Sequence, residues 1–156
     1  MEDSPEIRAA SWLALAVPAA LLGGALIAQY GFGLPPCEMC WWQRYAHIAA
    51  LVLAVASLAL GKIGLVRLAA AAIAVGGLLG AYHAGVEYGW WTGITSCSGG
   101  SLGNDPLASI MNAPVIRCDV SPWDLFGISL AGWNFLISMA SAAAILVLLS
   151  RGRARI

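Results

Sequence analysis

The stretch AASWLALAVPAALLGGALIAQY, residues 9–30, contains no Asp, Glu, Lys or Arg. At about 1.5 Å of rise per residue, a helix of this length crosses a hydrocarbon core about 30 Å thick, so the stretch reads as a transmembrane span. Its start is marked just upstream. Ser4-Pro5-Glu6 supplies an N-cap, a proline at the first helical position and an acid in the first turn. Pro18 is expected to kink this helix without ending it. A cleaved signal peptide would require a basic leading region and a shorter apolar core. Met1 to Arg8 carries more acid than base, so the helix is read as retained.

The composition agrees with a membrane setting. Of the 156 residues, 60% are hydrophobic and 10% charged, with a mean hydropathy of +0.80, whereas soluble domains carry about 25% charged residues. The few basic residues are scattered, which argues against nucleic acid as a partner. Four spans of about 20 residues would use roughly half of the chain, so one integral membrane domain over residues 1–156 is expected.

Beyond the first span, Gly31-Phe32-Gly33-Leu34-Pro35-Pro36 makes a short turn. A second helix over about residues 40–60 is apolar except for Arg44 and His47, and Gly61-Lys62-Ile63-Gly64 separates it from a third over about 65–88. Gly76 and Gly80 in that third helix form a small-xxx-small pattern, which allows close helix approach in lipid. Residues 89–122 make a connection of about 34 residues, well beyond the usual 12–15 for a loop without structure. Within it, Asp105-Pro106 followed by Leu107, Ile110 and Met111 reads either as a short helix on the membrane surface or as irregular loop with a few apolar residues. Ser121-Pro122-Trp123-Asp124 then resembles a capping box for a charge-free fourth helix over about 125–150. The expected fold is all-α, a four-helix transmembrane bundle with one long loop.

Basic residues orient the bundle. Arg8, Lys62, Arg67, Arg151, Arg153 and Arg155 fall on one side of a four-span arrangement, against Arg44 and Arg117 on the other. By the positive-inside rule both termini are cytoplasmic, and the long loop faces the opposite compartment. In a bacterium that is the periplasm, where disulfides form and persist.

The chemistry lies in Pro36-Cys37-Glu38-Met39-Cys40-Trp41-Trp42-Gln43-Arg44 at the mouth of the second helix. Residues three and four apart share a helical face, which aligns Cys37, Cys40 and Arg44. An arginine within a span costs about 2.5–3.5 kcal/mol on insertion scales and calls for a task, although snorkelling to headgroups is the alternative. Cys97 and Cys118 in the long loop bring the cysteines to four, an even number that permits two disulfides. Inert staples remain one reading, but a Cys-x-x-Cys loop is too small to stabilise much and lends itself to redox cycling. A zinc site would want a second closely spaced pair, and about 20 residues separate Cys97 from Cys118, so no metal is expected. Trp41, Trp42, Trp90, Trp91 and Trp123 fit an interfacial aromatic belt.

The motif with Gln43-Arg44, the later Cys97 and Cys118, and Trp123-Asp124-Leu125-Phe126-Gly127 leading to Trp133 together resemble the DsbB family of bacterial disulfide bond formation proteins over nearly the whole chain. The resemblance implies an inner-membrane protein-dithiol:quinone oxidoreductase with redox pairs Cys37–Cys40 and Cys97–Cys118. It would reoxidise a periplasmic DsbA-like thioredoxin-fold oxidase and pass the electrons to ubiquinone or menaquinone. The partner is then expected to attack Cys97, and Cys118 to attack Cys37 as the more exposed sulfur of the motif, releasing Cys40 as thiolate. The resemblance also implies that Arg44 supports the quinone site and that His83, four residues before Glu87, lines it. His83 reads equally as a hydrogen-bonded interfacial residue, and His47, on the face of Arg44, is a candidate pocket residue. Vitamin K epoxide reductase-like proteins also have four helices and two cysteine pairs, but their loop cysteines precede the Cys-x-x-Cys motif. A disulfide-stapled membrane scaffold is the non-enzymatic alternative.

Overall fold

The computed structural model describes residues 4–95, 97 and 116–154, with residues 153 and 154 described by backbone alone. The short surface helix expected near Leu107 to Met111 lies outside these residues. Four long helices follow one another: α1 (Pro5–Gly31), α2 (Glu38–Leu60), α3 (Ile63–Glu87) and α4 (Leu130–Ala154). Each is long and apolar enough to cross a membrane.

Helix starts follow from capping chemistry. Ser4 accepts a hydrogen bond from the Ile7 N–H at 3.2 Å, with Pro5 behind it. α2 begins two residues before the expected boundary because Cys37 itself is the cap: its Sγ accepts from the Cys40 N–H at 3.3 Å. The same helix stops at Gly61, whose φ of 65° is the left-handed conformation that glycine adopts without penalty.

The fourth helix departs from the sequence reading. It starts at Leu130 rather than near residue 125, because Ser121 does not cap it; the Ser121 hydroxyl donates to the Trp123 carbonyl instead. Two short strands fill the gap, β1 (Asp124–Leu125) and β2 (Ile128–Ser129), antiparallel with Asp124 opposite Ser129. Phe126 and Gly127 turn the chain with φ of 55° and 74°, the double left-handed geometry of a tight hairpin. Ser129 then takes the capping role, its hydroxyl accepting from the Gly132 N–H at 3.1 Å. Tyr88, just past α3, ties the hairpin down: its hydroxyl accepts from the Ser129 N–H and donates to the Gly127 carbonyl.

Small residues dominate the core. Ala10 and Ala14, Ala50 and Ala54, Ala69 and Ala70, and Ala142 bring the four backbones close around Val66, Ile73, Ile145 and Leu149. The large side chains Trp12, Val52, Leu68, Leu78 and Leu146 point outward instead, as lipid-facing residues must. In lipid no hydrophobic force drives helices together, so close packing and interhelical hydrogen bonds must do it. Gly76, Gly77 and Gly80 of α3 provide that approach. A Cβ on Gly80 would lie 2.8 Å from the Ala131 carbonyl oxygen of α4, and one on Gly77 would lie 2.9 Å from Cβ of Ser138.

Gly80→Ala should therefore force α3 and α4 apart and cost about 1–3 kcal/mol, the usual range for overpacking, read as a lower midpoint in thermal unfolding of detergent-solubilised protein. Gly64→Ala, where a Cβ meets nothing within 4 Å, is the matched control and should leave the midpoint near wild type.

Candidate functional site: the cysteine end of the bundle

Cys97 and Cys118 are joined as a disulfide, whereas Cys37 and Cys40 are free thiols. Backbone and side chain both hold the loop pair: the Cys118 N–H donates to the Cys97 carbonyl at 2.9 Å, and Thr95 Oγ1 lies 3.2 Å and 3.6 Å from the two sulfurs. The disulfide packs with Cys37, Met39 and Val86 into one buried cluster, flanked by Cys40, Trp42 and Tyr82. Both cysteine pairs thus meet at one end of the bundle.

The two motif sulfurs are unequal, and in the opposite sense to the sequence expectation. Cys37, expected to be the more exposed, is buried at 5% because the loop disulfide covers it, while Cys40 is half-buried. Their sulfurs share a hydrogen bond at 3.1 Å. Cys37 also receives the Cys40 N–H at the positive end of α2 and lies 3.6 Å from His83 Nε2. These contacts hold the Cys37 thiol well below the ordinary cysteine range. The bond shared with Cys40 contributes most and the His83 bond adds to it, against the opposing effect of burial.

A cavity of about 310 Å³ opens beside this pair, at the small end of the range for ligand pockets. Cys40, Arg44, His47 and His83 all line it, with α1 residues Ala25 and Ala28 and α4 residues Trp133 and Asn134. Arg44 does not snorkel. It is 9% exposed, its Nη1 donating to Gln29 Oε1 at 2.6 Å and its Nη2 to the Ala25 carbonyl at 3.2 Å, with the guanidinium 5.0 Å over the Trp41 ring. Gln29 was missed in the sequence; its signal was an amide side chain inside a span otherwise free of charge. The tryptophans of this end are largely exposed, and Trp91 also closes over Gly85, donating to the Tyr82 carbonyl at 2.9 Å.

Two further polar residues were not singled out by sequence reasoning as site residues. Gln43 Nε2 lies 3.0 Å from His83 Nδ1, and Asn134 Oδ1 lies 2.8 Å from His47 Nε2. Gln43 carried a signal, one residue before the arginine of the motif. Asn134 carried only its isolation as an amide in an apolar helix. The sulfurs of Cys37 and Cys40 and a ring nitrogen of His83 also lie within 4.8 Å of one another, a spacing that could hold a metal ion.

Four apolar spans with a closed and an open cysteine pair packed together at one end define a membrane-embedded disulfide oxidoreductase. A family model described as disulfide bond formation protein DsbB matches residues 7–148, and the chain belongs to that family. Among curated relatives, the disulfide bond formation protein B of Aromatoleum aromaticum is 34% identical, covering 88% of this chain and 89% of its own length. That of Verminephrobacter eiseniae is 33% identical over 85% and 80%. That of an Acidovorax species is 32% identical over 85% and 82%. No solved structure matches the chain.

A lowered thiol pKa keeps the sulfur ionised at more acid pH. Titrated by ultraviolet thiolate absorbance, the reduced protein should retain one thiolate below the ordinary cysteine pKa of about 8.5. His83→Phe removes one of the stabilising contacts, so that titration should move upward; an unmoved curve would show that His83 plays no part in it.

Proposed function

We propose that this protein takes two electrons from a periplasmic DsbA-like thioredoxin-fold oxidase and delivers them to a membrane quinone, working as one inner-membrane unit with both termini cytoplasmic. The observation that supports this best is the contiguity of three parts: a loop disulfide packed on Cys37, Cys37 bonded to Cys40, and Cys40 lining a cavity with Arg44.

The relay balances at each exchange. A thiolate of the partner attacks Cys97, the Cys97–Cys118 bond breaks, and Cys118 leaves as thiolate. Cys118 then attacks Cys37 of a closed Cys37–Cys40 pair, forming Cys37–Cys118 and releasing Cys40 at the cavity. The partner's second thiolate resolves its mixed disulfide and frees Cys97. Cys97 attacks Cys118, the loop disulfide re-forms, and Cys37 is released. The net result is an oxidised partner, a closed loop pair and two motif thiols, which is the arrangement described above. Burial of Cys37 against the loop disulfide suits this exchange, since the attacking sulfur comes from the loop itself.

Quinone, when bound, would accept the pair of electrons and two protons and leave as quinol. The cavity suits such a group: its walls are largely apolar and a buried guanidinium is anchored on one of them. Arg44 would hold a ring carbonyl and stabilise charge gathering there, while α1 residues Ala25 and Ala28 keep water from the ring. A permanently stapled scaffold fits less well, because its motif pair would be closed, whereas Cys37 and Cys40 are open thiols. The order of the cysteine pairs argues against the vitamin K epoxide reductase type.

Purified protein should reduce a soluble quinone analogue only when reduced partner is supplied; no turnover under those conditions would overturn the reading. Arg44→Ala should slow the quinone step by on the order of 10², the loss typical of removing one charge-stabilising donor, and change thiol exchange with the partner far less. Equal quinone kinetics in variant and wild type would remove Arg44 from the site.

A further inference from the structure

A single chain of buried and part-buried hydrogen bonds runs from Cys37 to the middle of the bundle. His83 Nε2 lies 3.6 Å from Cys37 Sγ, and Gln43 Nε2 lies 3.0 Å from His83 Nδ1. Asn134 Nδ2 donates to Gln43 Oε1 at 2.8 Å, and His47 Nε2 lies 2.8 Å from Asn134 Oδ1. Three helices contribute: α2 with Gln43 and His47, α3 with His83, and α4 with Asn134.

Amide orientations are ambiguous when a chain has no fixed point, but this one has two. Asn134 Nδ2 also lies 3.0 Å from the Gly76 carbonyl, and Gln43 Nε2 lies 3.1 Å from the Met39 carbonyl. A backbone carbonyl only accepts, so in both amides it is the NH2 group that faces it. Turning Asn134 over would set its oxygen against the Gly76 oxygen and strip Gln43 of its donor. Turning Gln43 over would set its oxygen against the Met39 oxygen. Each amide spends both N–H bonds, Asn134 on Gly76 and Gln43, and Gln43 on Met39 and His83. Ser138 Oγ donates to Asn134 Oδ1 at 3.1 Å, in keeping with that orientation.

The consequence reaches both histidines. Gln43 presents N–H to His83 Nδ1, so that nitrogen must accept, and the ring proton sits on Nε2, which faces Cys37 Sγ at 3.6 Å and Glu87 Oε1 at 3.8 Å. Asn134 presents oxygen to His47, so His47 Nε2 must donate, and its Nδ1 is a bare lone pair. That Nδ1 is buried and has no hydrogen-bond partner among the described residues, in a side chain only 3% exposed that lines the cavity.

We propose that Asn134 and Gln43 are positioning residues whose one-way hydrogen-bond chain, anchored on the Gly76 and Met39 carbonyls, fixes the tautomer of both histidines. His47 is held as an Nε2–H donor to Asn134, its Nδ1 left as a buried lone pair. His83 is held as an N–H donor facing the Cys37 sulfur, with Glu87 Oε1 3.8 Å from the same nitrogen. The His83 role does not depend on the quinone reading. It also bears on the Cys37, Cys40 and His83 cluster, because an N–H rather than a lone pair faces the space a metal would need.

Nitrogen-15 NMR of full-length reduced protein labelled at histidine, with no quinone added, tests the tautomers directly. Both rings should show a protonated Nε2 and a bare Nδ1. A protonated Nδ1 on either neutral ring overturns the proposal, and this wild-type measurement needs no variant to fold. In Asn134→Leu, His47 should show a mixture of tautomers, whereas His83 keeps its form because Gln43 stays anchored on the Met39 carbonyl; retention of the single wild-type form at His47 would remove Asn134 from the role.

Discussion

The contact between Asn134 of α4 and the Gly76 carbonyl of α3 is the constraint on which the interior rests. In a membrane an amide left without partners costs several kcal/mol, so Asn134 can exist in α4 only where other helices satisfy it. They can do so because Gly76, Gly77 and Gly80 have no side chains to hold α4 away. A Cβ on Gly80 would lie 2.9 Å from Asn134 Nδ2 itself. Glycine spacing and amide placement are therefore one feature: the first creates the proximity and the second uses it. With α3 and α4 joined, Gln43 and His47 bring α2 into the same network through Asn134.

The second organising device is the cysteine that caps α2. A cap residue must place a side-chain acceptor over the first free N–H groups of the helix, and Cys37 does this with sulfur. The position gives the sulfur a positive electrostatic environment, and the loop disulfide removes it from water. The sulfur that initiates the helix is thus also the one proposed to take part in thiol exchange. Arg44, one turn deeper, is held by Gln29, the Ala25 carbonyl and the Trp41 ring, so its charge is fixed in place before any ligand arrives. Such preorganisation is what makes a buried charge useful in catalysis, because no reorganisation is needed when charge develops.

Much of this was legible in the residues themselves. Four spans followed from the long apolar runs, since the membrane imposes length and apolarity on every helix without regard to its neighbours. The start of α1 followed from Ser4-Pro5, a local signal. The start of α4 did not, because Ser121-Pro122-Trp123-Asp124 satisfies the same local rule yet yields to the hairpin held by Tyr88, a residue more than 30 positions upstream. Cys37, Cys40 and Arg44 could be grouped by helical spacing alone. The greater burial of Cys37 could not be read, because it depends on where residues 97 and 118 fold back.

By itself the sequence determined the number of spans, the stripe of sulfur and cation on α2, and the glycines that let α3 be approached, all of which depend on spacing along one helix. Tertiary structure decided which motif sulfur is covered, which partners hold Arg44, and how Gln43 and Asn134 are oriented. Those depend on acceptors and donors contributed by other helices. A hydrogen-bond chain takes its direction from its end points, and here the end points are the backbone carbonyls of Gly76 and Met39, which no residue pattern marks.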